Sequence, residues 1–324
     1  RATTLESGAS LAGGPSKWRY VWPRDASFTA VALARTGHTG DAVRVLEFLS
    51  GLQSADGTFQ ARYLPDGSGP PDDRGVQEDS TGWVLWATAQ VVAELPASGR
   101  AALPPSLMRM VDRASTRVLG ITRGGTQLPP PSMDYWEVPE RSLTLGTVAP
   151  LLAGLEASVH VYQDVGQLVR AQRLAVAAIR LRARVEASFG ERGYPRHVDS
   201  DKLDAALAFV LPPFQPLALA GADDMWARAV NVMGRPGGGL APGEGWKEDG
   251  ISWTPETALF ALSAASAGRS EQARQWLRWL DAHRTSSGSL PEKVLSNGEP
   301  AAVAPLTWTA ALVVLTVDTL ERLH

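Results

Sequence analysis

Apolar residues recur at three- and four-residue intervals through most of this chain, at about 25–36, 39–53, 79–95, 103–119, 142–163, 167–188, 203–210, 223–233, 254–267, 270–283 and 305–323. Alternating, strand-type patterning is nearly absent, so the pattern predicts eleven helices and an all-α fold. Several helices carry start signals. Thr254-Pro255-Glu256 puts a cap residue, a first-turn proline and a dipole-compatible acid in order, and Ser270-Glu271 does similar work before Ala273, Trp276 and Leu277. Gly37 and Gly268 mark stops.

The links between these helices alternate in length. Gly37-His38-Thr39-Gly40 and Ala267-Gly268-Arg269 are tight, whereas 54–78, 120–141, 190–202, 234–253 and 284–304 are long and follow the second helix of a pair. Such alternation implies helical hairpins set side by side with the long loops gathered on one face, where function is expected. A closed ring of six hairpins needs twelve helices. Either one is misread or it lies upstream of residue 1, and the abrupt start Arg1-Ala2-Thr3-Thr4, with neither initiator Met nor signal-peptide pattern, favours the second. The glycine-rich stretch from Gly234 to Gly245 has helices of the same style on both sides, so residues 1–324 read as a single domain. A solenoid of stacked helical pairs is the fallback, without a clear sequence repeat to support it.

Composition narrows the chemistry. With 324 residues and 44% apolar content the chain can bury a sizeable core, and no apolar run approaches a membrane span. Lysine plus arginine (31) nearly balance aspartate plus glutamate (34), and the net charge of −3 argues against nucleic acid or an anionic membrane as partner and for a neutral substrate. The absence of cysteine removes thiol chemistry and points to a reducing compartment, hence a cytoplasmic location. The histidines at 38, 160, 197, 283 and 324 lack ligand spacing, and no phosphate loop or dinucleotide fingerprint is present, so neither metal nor cofactor is expected. Of eleven tryptophans, those at 18, 22, 83, 86, 136, 246, 253 and 308 fall at or near predicted helix ends, as the stacking walls of a sugar cleft would, while Trp226, Trp276 and Trp279 read as helix-face residues.

Two long loops carry candidate carboxylates. Glu137 sits in Met133-Asp134-Tyr135-Trp136-Glu137-Val138-Pro139, where aromatic neighbours and Val138 would desolvate a carboxyl and suit a proton donor; Glu292 sits in Leu290-Pro291-Glu292-Lys293, where Lys293 would favour the ionised form and suit a base. Inverting hydrolysis of a glycoside needs one acid of each kind, roughly 6.5–9.5 Å apart. Taken singly, either glutamate reads more readily as a surface acid or a helix-start residue than as a catalytic one.

The stretch Trp18-Arg19-Tyr20-Val21-Trp22-Pro23-Arg24-Asp25-Ala26-Ser27-Phe28 resembles the glucoamylase-type enzymes of glycoside hydrolase family 15, including their bacterial glucoamylase, glucodextranase and trehalase relatives. The resemblance continues in family order through Ala2-Thr3-Thr4-Leu5-Glu6, Gln77-Glu78-Asp79-Ser80-Thr81-Gly82, Tyr135-Trp136-Glu137-Val138, Leu203-Asp204-Ala205-Ala206-Leu207, Trp253 to Glu256, Leu290-Pro291-Glu292-Lys293 and Pro305-Leu306-Thr307-Trp308-Thr309. It implies an (α/α)6 barrel of six helical hairpins with a pocket for one terminal glucose. By position, Glu137 resembles the general acid and Glu292 the general base. Arg24 and Asp25 resemble the pair gripping the outer hydroxyls of the non-reducing glucose, a role that a forked donor beside an acceptor suits physically. The resemblance further implies Trp22 and Trp136 as pocket walls, Gln77 and Asp79 as polar groups behind or at the rim, and Trp246, Lys247, Glu248 and Trp253 as closing the pocket. Tyr20 is a candidate to assist the catalytic water.

Departures shape the expected substrate. Where fungal glucoamylases carry a second acid directly after the catalytic one, this chain has Val138, and it has no room for the N-terminal β-sandwich domain of many bacterial glucoamylases. An α-1,6-linked glucoside such as isomaltose therefore ranks above α-1,4-linked starch, with trehalose third. A non-catalytic sugar-binding protein on the same scaffold is the alternative of another class, though it would need no pair of catalytic acids.

Overall fold

Burial separates the helices into two kinds. In chain order they are α1 (Pro23–Arg35), α2 (Thr39–Leu52), α3 (Asp79–Ala93), α4 (Ala97–Ala101), α5 (Pro105–Ile121), α6 (Leu145–Asp164), α7 (Leu168–Phe189), α8 (Trp226–Met233), α9 (Thr254–Ser266), α10 (Ser270–Ala282) and α11 (Thr307–Arg322). These assignments come from a computed structural model, which describes residues 2–323. Helix α1 is buried without a break from Pro23 to Ala34, α6 from Leu145 to Leu155 and α9 from Thr254 to Ala265, so these helices are enclosed on every side. By contrast α2 buries Ala42, Val45, Leu46 and Leu49, and α7 buries Ala171, Leu174, Ala177, Ala178, Leu181, Val185 and Phe189: a single stripe at helical spacing.

The enclosed helices make the inner ring and the striped ones the outer. Packing runs α1 to α3 to α6, through the 3-10 helix Ala205–Val210, to α9, α11 and back to α1. Helices α2, α5, α7, α8 and α10 lie outside, giving an (α/α)6 barrel. The stretch 203–210, expected as an α-helix, is a six-residue 3-10 helix whose N-cap Asp204 accepts from the Ala206 amide at 3.0 Å. The stretch 223–233 likewise starts as a 3-10 turn, and α4 is an addition that periodicity did not suggest. All eleven expected helices are present, so none was misread into existence. Among the described residues no helix fills the outer position between α11 and α1, where a groove of about 340 Å³ is lined by Ala32, Leu33, Ala310, Ala311 and Val314.

The expected cap residues Thr254 and Ser270 are instead the first helical residues, with Trp253 and Arg269 at the caps. Trp83 and Trp86 do not reach the mouth of the barrel. Both lie within α3, fully buried against Phe28 and Phe214 in an aromatic core on the barrel axis, with ring centroids 5.0–5.5 Å apart. Trp226 and Trp276 pack on Phe260 between the layers, as helix-face residues should. Three two-residue strands, β1 (Ser252–Trp253), β2 (Lys293–Val294) and β3 (Pro300–Ala301), form an antiparallel sheet in the order β1-β2-β3 that ties two long loops together. No helix among the described residues is long and apolar enough to cross a membrane.

Candidate active site

The N-terminal ends of α1, α9 and α11 and the long loops meet round a cavity of about 480 Å³. Trp18, Trp22, Trp136, Trp253 and Trp308 supply flat apolar walls, joined by Tyr20 and Tyr135, and eight charged residues share the lining: Lys17, Arg24, Asp25, Arg62, Arg74, Glu137, Glu256 and Glu292. Apolar faces interleaved with convergent polar groups suit a ligand with both kinds of surface.

Arg24 and Asp25 occupy the first turn of α1, where Trp22 is the cap and Pro23 presets the helical φ. Both are buried, at 5% exposure each. Arg24 reaches Asp25 at 3.4 Å, Asp79 at 3.4 Å and Gln77 at 3.3 Å, and its guanidinium lies 5.0 Å from the centre of the Trp308 ring. Gln77 and Asp79 are thus behind the cavity wall, orienting Arg24. Burial opposes the Arg24 charge, but the surrounding carboxylates outweigh it and hold the guanidinium firmly protonated. Burial pushes Asp25 up to about 6 against the pull of Arg24, and pushes Asp79 up to about 7. Asp25 Oδ2 makes no hydrogen bond among the described residues, and neither does the indole N–H of Trp253 or Trp308. Such buried polar atoms on a cavity wall are groups a hydroxylated ligand can satisfy.

Glu137 is held by a tight turn. Its amide donates to the Asp134 carbonyl at 2.8 Å, the Asp134 side chain accepts from the Trp136 amide at 2.9 Å, and Glu137 itself has φ of +55°. A non-glycine residue in the left-handed region is strained and persists because its surroundings fix it. Arg196 supplies that support: it is buried, pairs with Asp134 at 3.0 Å, Glu140 at 2.6 Å and Asp204 at 2.7 Å, and lies 3.7 Å from the centre of the Trp136 ring. The Glu137 carboxylate accepts from the Trp22 indole N–H at 2.5 Å through Oε1 and from Arg74 through Oε2, with Arg24 a further 3.7 Å away. The desolvating neighbours expected around it are therefore only partly present, since Val138 points outward at 38% exposure and the carboxylate meets cations instead.

Glu292 is pinned on both sides, its amide donating to the Val303 carbonyl at 2.8 Å and its carbonyl accepting from the Thr254 amide at 3.0 Å. The β1–β2 pairing sets Trp253 opposite Lys293, whose ammonium lies 4.1 Å from the Trp253 ring centre and 3.6 Å from Glu292 Oε2. Lys293 lowers the Glu292 pKa as the sequence suggests, but burial is the larger influence and the net direction is upward. Beside it Glu256, in the first turn of α9, is 3% exposed with Oε2 unpartnered, and burial pushes it up to about 8.

This architecture is shared with known proteins. A glycosidase in complex with glucose superposes with a TM-score of 0.82 at 22% identity over 99% of this chain and 93% of its own. A bacterial glucoamylase complexed with acarbose gives 0.76 at 15% identity, covering 98% of this chain and 53% of that one. The barrel is glucoamylase-like. A 70-residue segment is 39% identical to an uncharacterized glycosyl hydrolase of Methanocaldococcus jannaschii, spanning 22% of this chain and 11% of that relative. No protein-family model matches the chain.

Of the residues singled out in the sequence, Tyr20, Trp22, Arg24, Asp25, Trp136, Glu137, Trp253 and Glu292 converge on the cavity. Trp246 does not line it; its ring backs those of Trp136 and Trp253 at 4.7 and 5.4 Å. Lys247 and Glu248 are exposed on the outer side of the glycine-rich loop and also stay off the cavity wall, since that loop turns them to water. The lining adds Lys17, Arg62, Arg74, Tyr135 and Glu256. Glu256 read as a helix-dipole acid, and nothing in the sequence around Arg62 and Arg74 marks them except their place on a long loop of the functional face.

Proposed function

We propose that this chain is an inverting, exo-acting α-glucoside hydrolase that releases β-glucose from a non-reducing end. The observation that carries this reading is the convergence of Glu137 and Glu292, from loops far apart in the sequence, on one cavity also lined by the buried Arg24–Asp25 pair. In this reading Arg24 and Asp25 grip the outer hydroxyls of the terminal glucose, and the tryptophans stack on its C–H faces. Glu137, protonated, donates to the glycosidic oxygen as the C1–O bond breaks. Glu292, ionised, takes a proton from the water that attacks C1 from the opposite face, so the configuration inverts. The glucose-bound and acarbose-bound neighbours support a sugar ligand by analogy of fold.

Small α-1,6-linked glucosides such as isomaltose rank first because Val138 stands where a second acid would favour starch, with α-1,4 glucans and trehalose next. Proton NMR of the first product tests the mechanism: β-glucose is expected, and α-glucose would overturn inversion. Glu137→Gln and Glu292→Gln should each lower kcat by about 10²–10⁴. A sugar-binding protein without turnover would bind isomaltose and hydrolyse nothing.

A further inference from the structure

Glu137, read as the acid, accepts hydrogen bonds on both oxygens in the free site, from Trp22 on Oε1 and from Arg74 on Oε2. Each oxygen keeps a second lone pair able to carry a proton, but both now face N–H donors, whereas a proton donor must face an acceptor, the glycosidic oxygen, so that one partner gives up its place. Trp22 is buried at 3%, whereas the Arg74 side chain is 40% exposed on the loop between α2 and α3. Arg74 is the movable one.

The surroundings of Arg74 indicate what could draw it away. Among the described residues, the lining cations on this side are Lys17, Arg62 and Arg74, facing the carboxylates of Glu137 and of Asp72, which bridges both arginines; Asp73, next along the chain, is exposed. Lys17 is exposed and makes no ion pair among the described residues. Arg62 is fixed by its stacking, 4.5 Å from the Tyr20 ring centre and 5.0 Å from that of Trp22. Positive charge is therefore in excess where the leaving group of a glucoside would lie, although the whole chain is slightly acidic.

Resting on the hydrolase reading above, we propose that the leaving group of the natural substrate carries one carboxylate or phosphate, which Arg74 and Lys17 bind and which draws Arg74 off Glu137. Oε2, carrying the proton, then faces the glycosidic oxygen in place of the guanidinium while the charged leaving group is bound. Arginine suits the exchange because its forked donors pair with a carboxylate or phosphate as well as with the glutamate they leave. A neutral leaving group offers the guanidinium no equivalent, and must be hydrolysed against the cost of breaking the ion pair.

Matched substrate pairs test this: glucosylglycerol against glucosylglycerate, isomaltose against isomaltobionate, maltose against maltobionate, and trehalose against trehalose 6-phosphate. The wild type is expected to favour the charged member of at least one pair by about tenfold to a hundredfold in kcat/KM, the worth of one charge-assisted contact. The first three pairs report a carboxylate and the last a phosphate. Arg74→Gln should remove that preference by losing more activity on the charged member than on the neutral one, so that the ratio of the two kcat/KM values falls toward one, a change that mere loss of folding would not give. Preference for the neutral member of every pair, or equal losses on both members in Arg74→Gln, overturns this inference and leaves the hydrolase reading intact. No turnover of any substrate overturns the hydrolase reading, and this inference with it.

Discussion

Lys293 and burial pull the Glu292 carboxyl in opposite directions, and the balance is measurable. Burial raises its pKa and the ammonium 3.6 Å away lowers it, so Lys293→Met removes only the lowering influence. In the proposed role of base Glu292 must be ionised, so the acid limb of the kcat/KM profile should move to higher pH in this variant. An unmoved limb would mean that Glu292 does not titrate in that limb. Glu256 gives a second residue-level test. Its pKa is raised from 4.5 in the open chain to about 8 in the folded protein, so between these values the folded state holds a proton that the unfolded state has lost. Stability therefore falls as pH rises through this window, by up to about 1.4 kcal/mol per pH unit for one proton. Glu256→Gln cannot ionise and should lose less stability than the wild type between pH 5 and 8 in urea titrations; parallel curves would refute the assignment. The sequence showed Glu137, Glu292, Arg24 and Asp25 because each sits in a distinctive local run of residues. Glu256, Arg62 and Arg74 were opaque because their neighbours along the chain say nothing about the cavity that folding closes round them.

At the scale of elements, periodicity found the helices but not which ring each joins. That distinction shows in how much of the surface is apolar or small: α1, α6 and α9 are rich in alanine as well as larger apolar residues, and α6 adds Gly146 and Gly154, because enclosed helices must approach closely. The contact of α3 with α6 is the extreme case. A Cβ on Gly82 would lie 2.2 Å from the Pro150 carbonyl oxygen, and one on Gly154 would lie 2.6 Å from the Gly82 carbonyl oxygen. Both obstacles are backbone and cannot swing aside. Gly82→Ala should thus lower stability by about 3 kcal/mol, read from the urea midpoint, where an alanine in an unhindered helix would stabilise. The 3-10 geometry of 205–210 was not legible, since a six-residue apolar run fits either helix and the choice is made by Asp204, locked by Arg196 and by Tyr135 at 2.9 Å.

The whole molecule is organised by closure of the inner ring, in which the first long helix, α1, packs on the last, α11. The segment before α1 seals that seam: the Leu11 carbonyl accepts from the Thr307 hydroxyl at 2.6 Å, the Ala12 carbonyl accepts from the Thr307 amide at 2.9 Å, and Gly13 bridges Leu306. Every inner helix therefore has two ring neighbours, and removing any one exposes the flanks of both. The cavity is distributed in the same way, with Arg24 from α1, Glu137 from the loop before α6, Glu256 from α9 and Trp308 from α11. A ring of this kind offers no internal boundary at which a part could unfold while the rest stays packed, so it should unfold as one unit. Urea unfolding followed by far-ultraviolet circular dichroism, tryptophan fluorescence and glucose binding should give one midpoint for all three signals. Tryptophans lie in the axial core, at the cavity and between the layers, so fluorescence samples all three regions. A separate, earlier loss of fluorescence or binding would divide the chain into units and refute the dependence of the site on the closed ring.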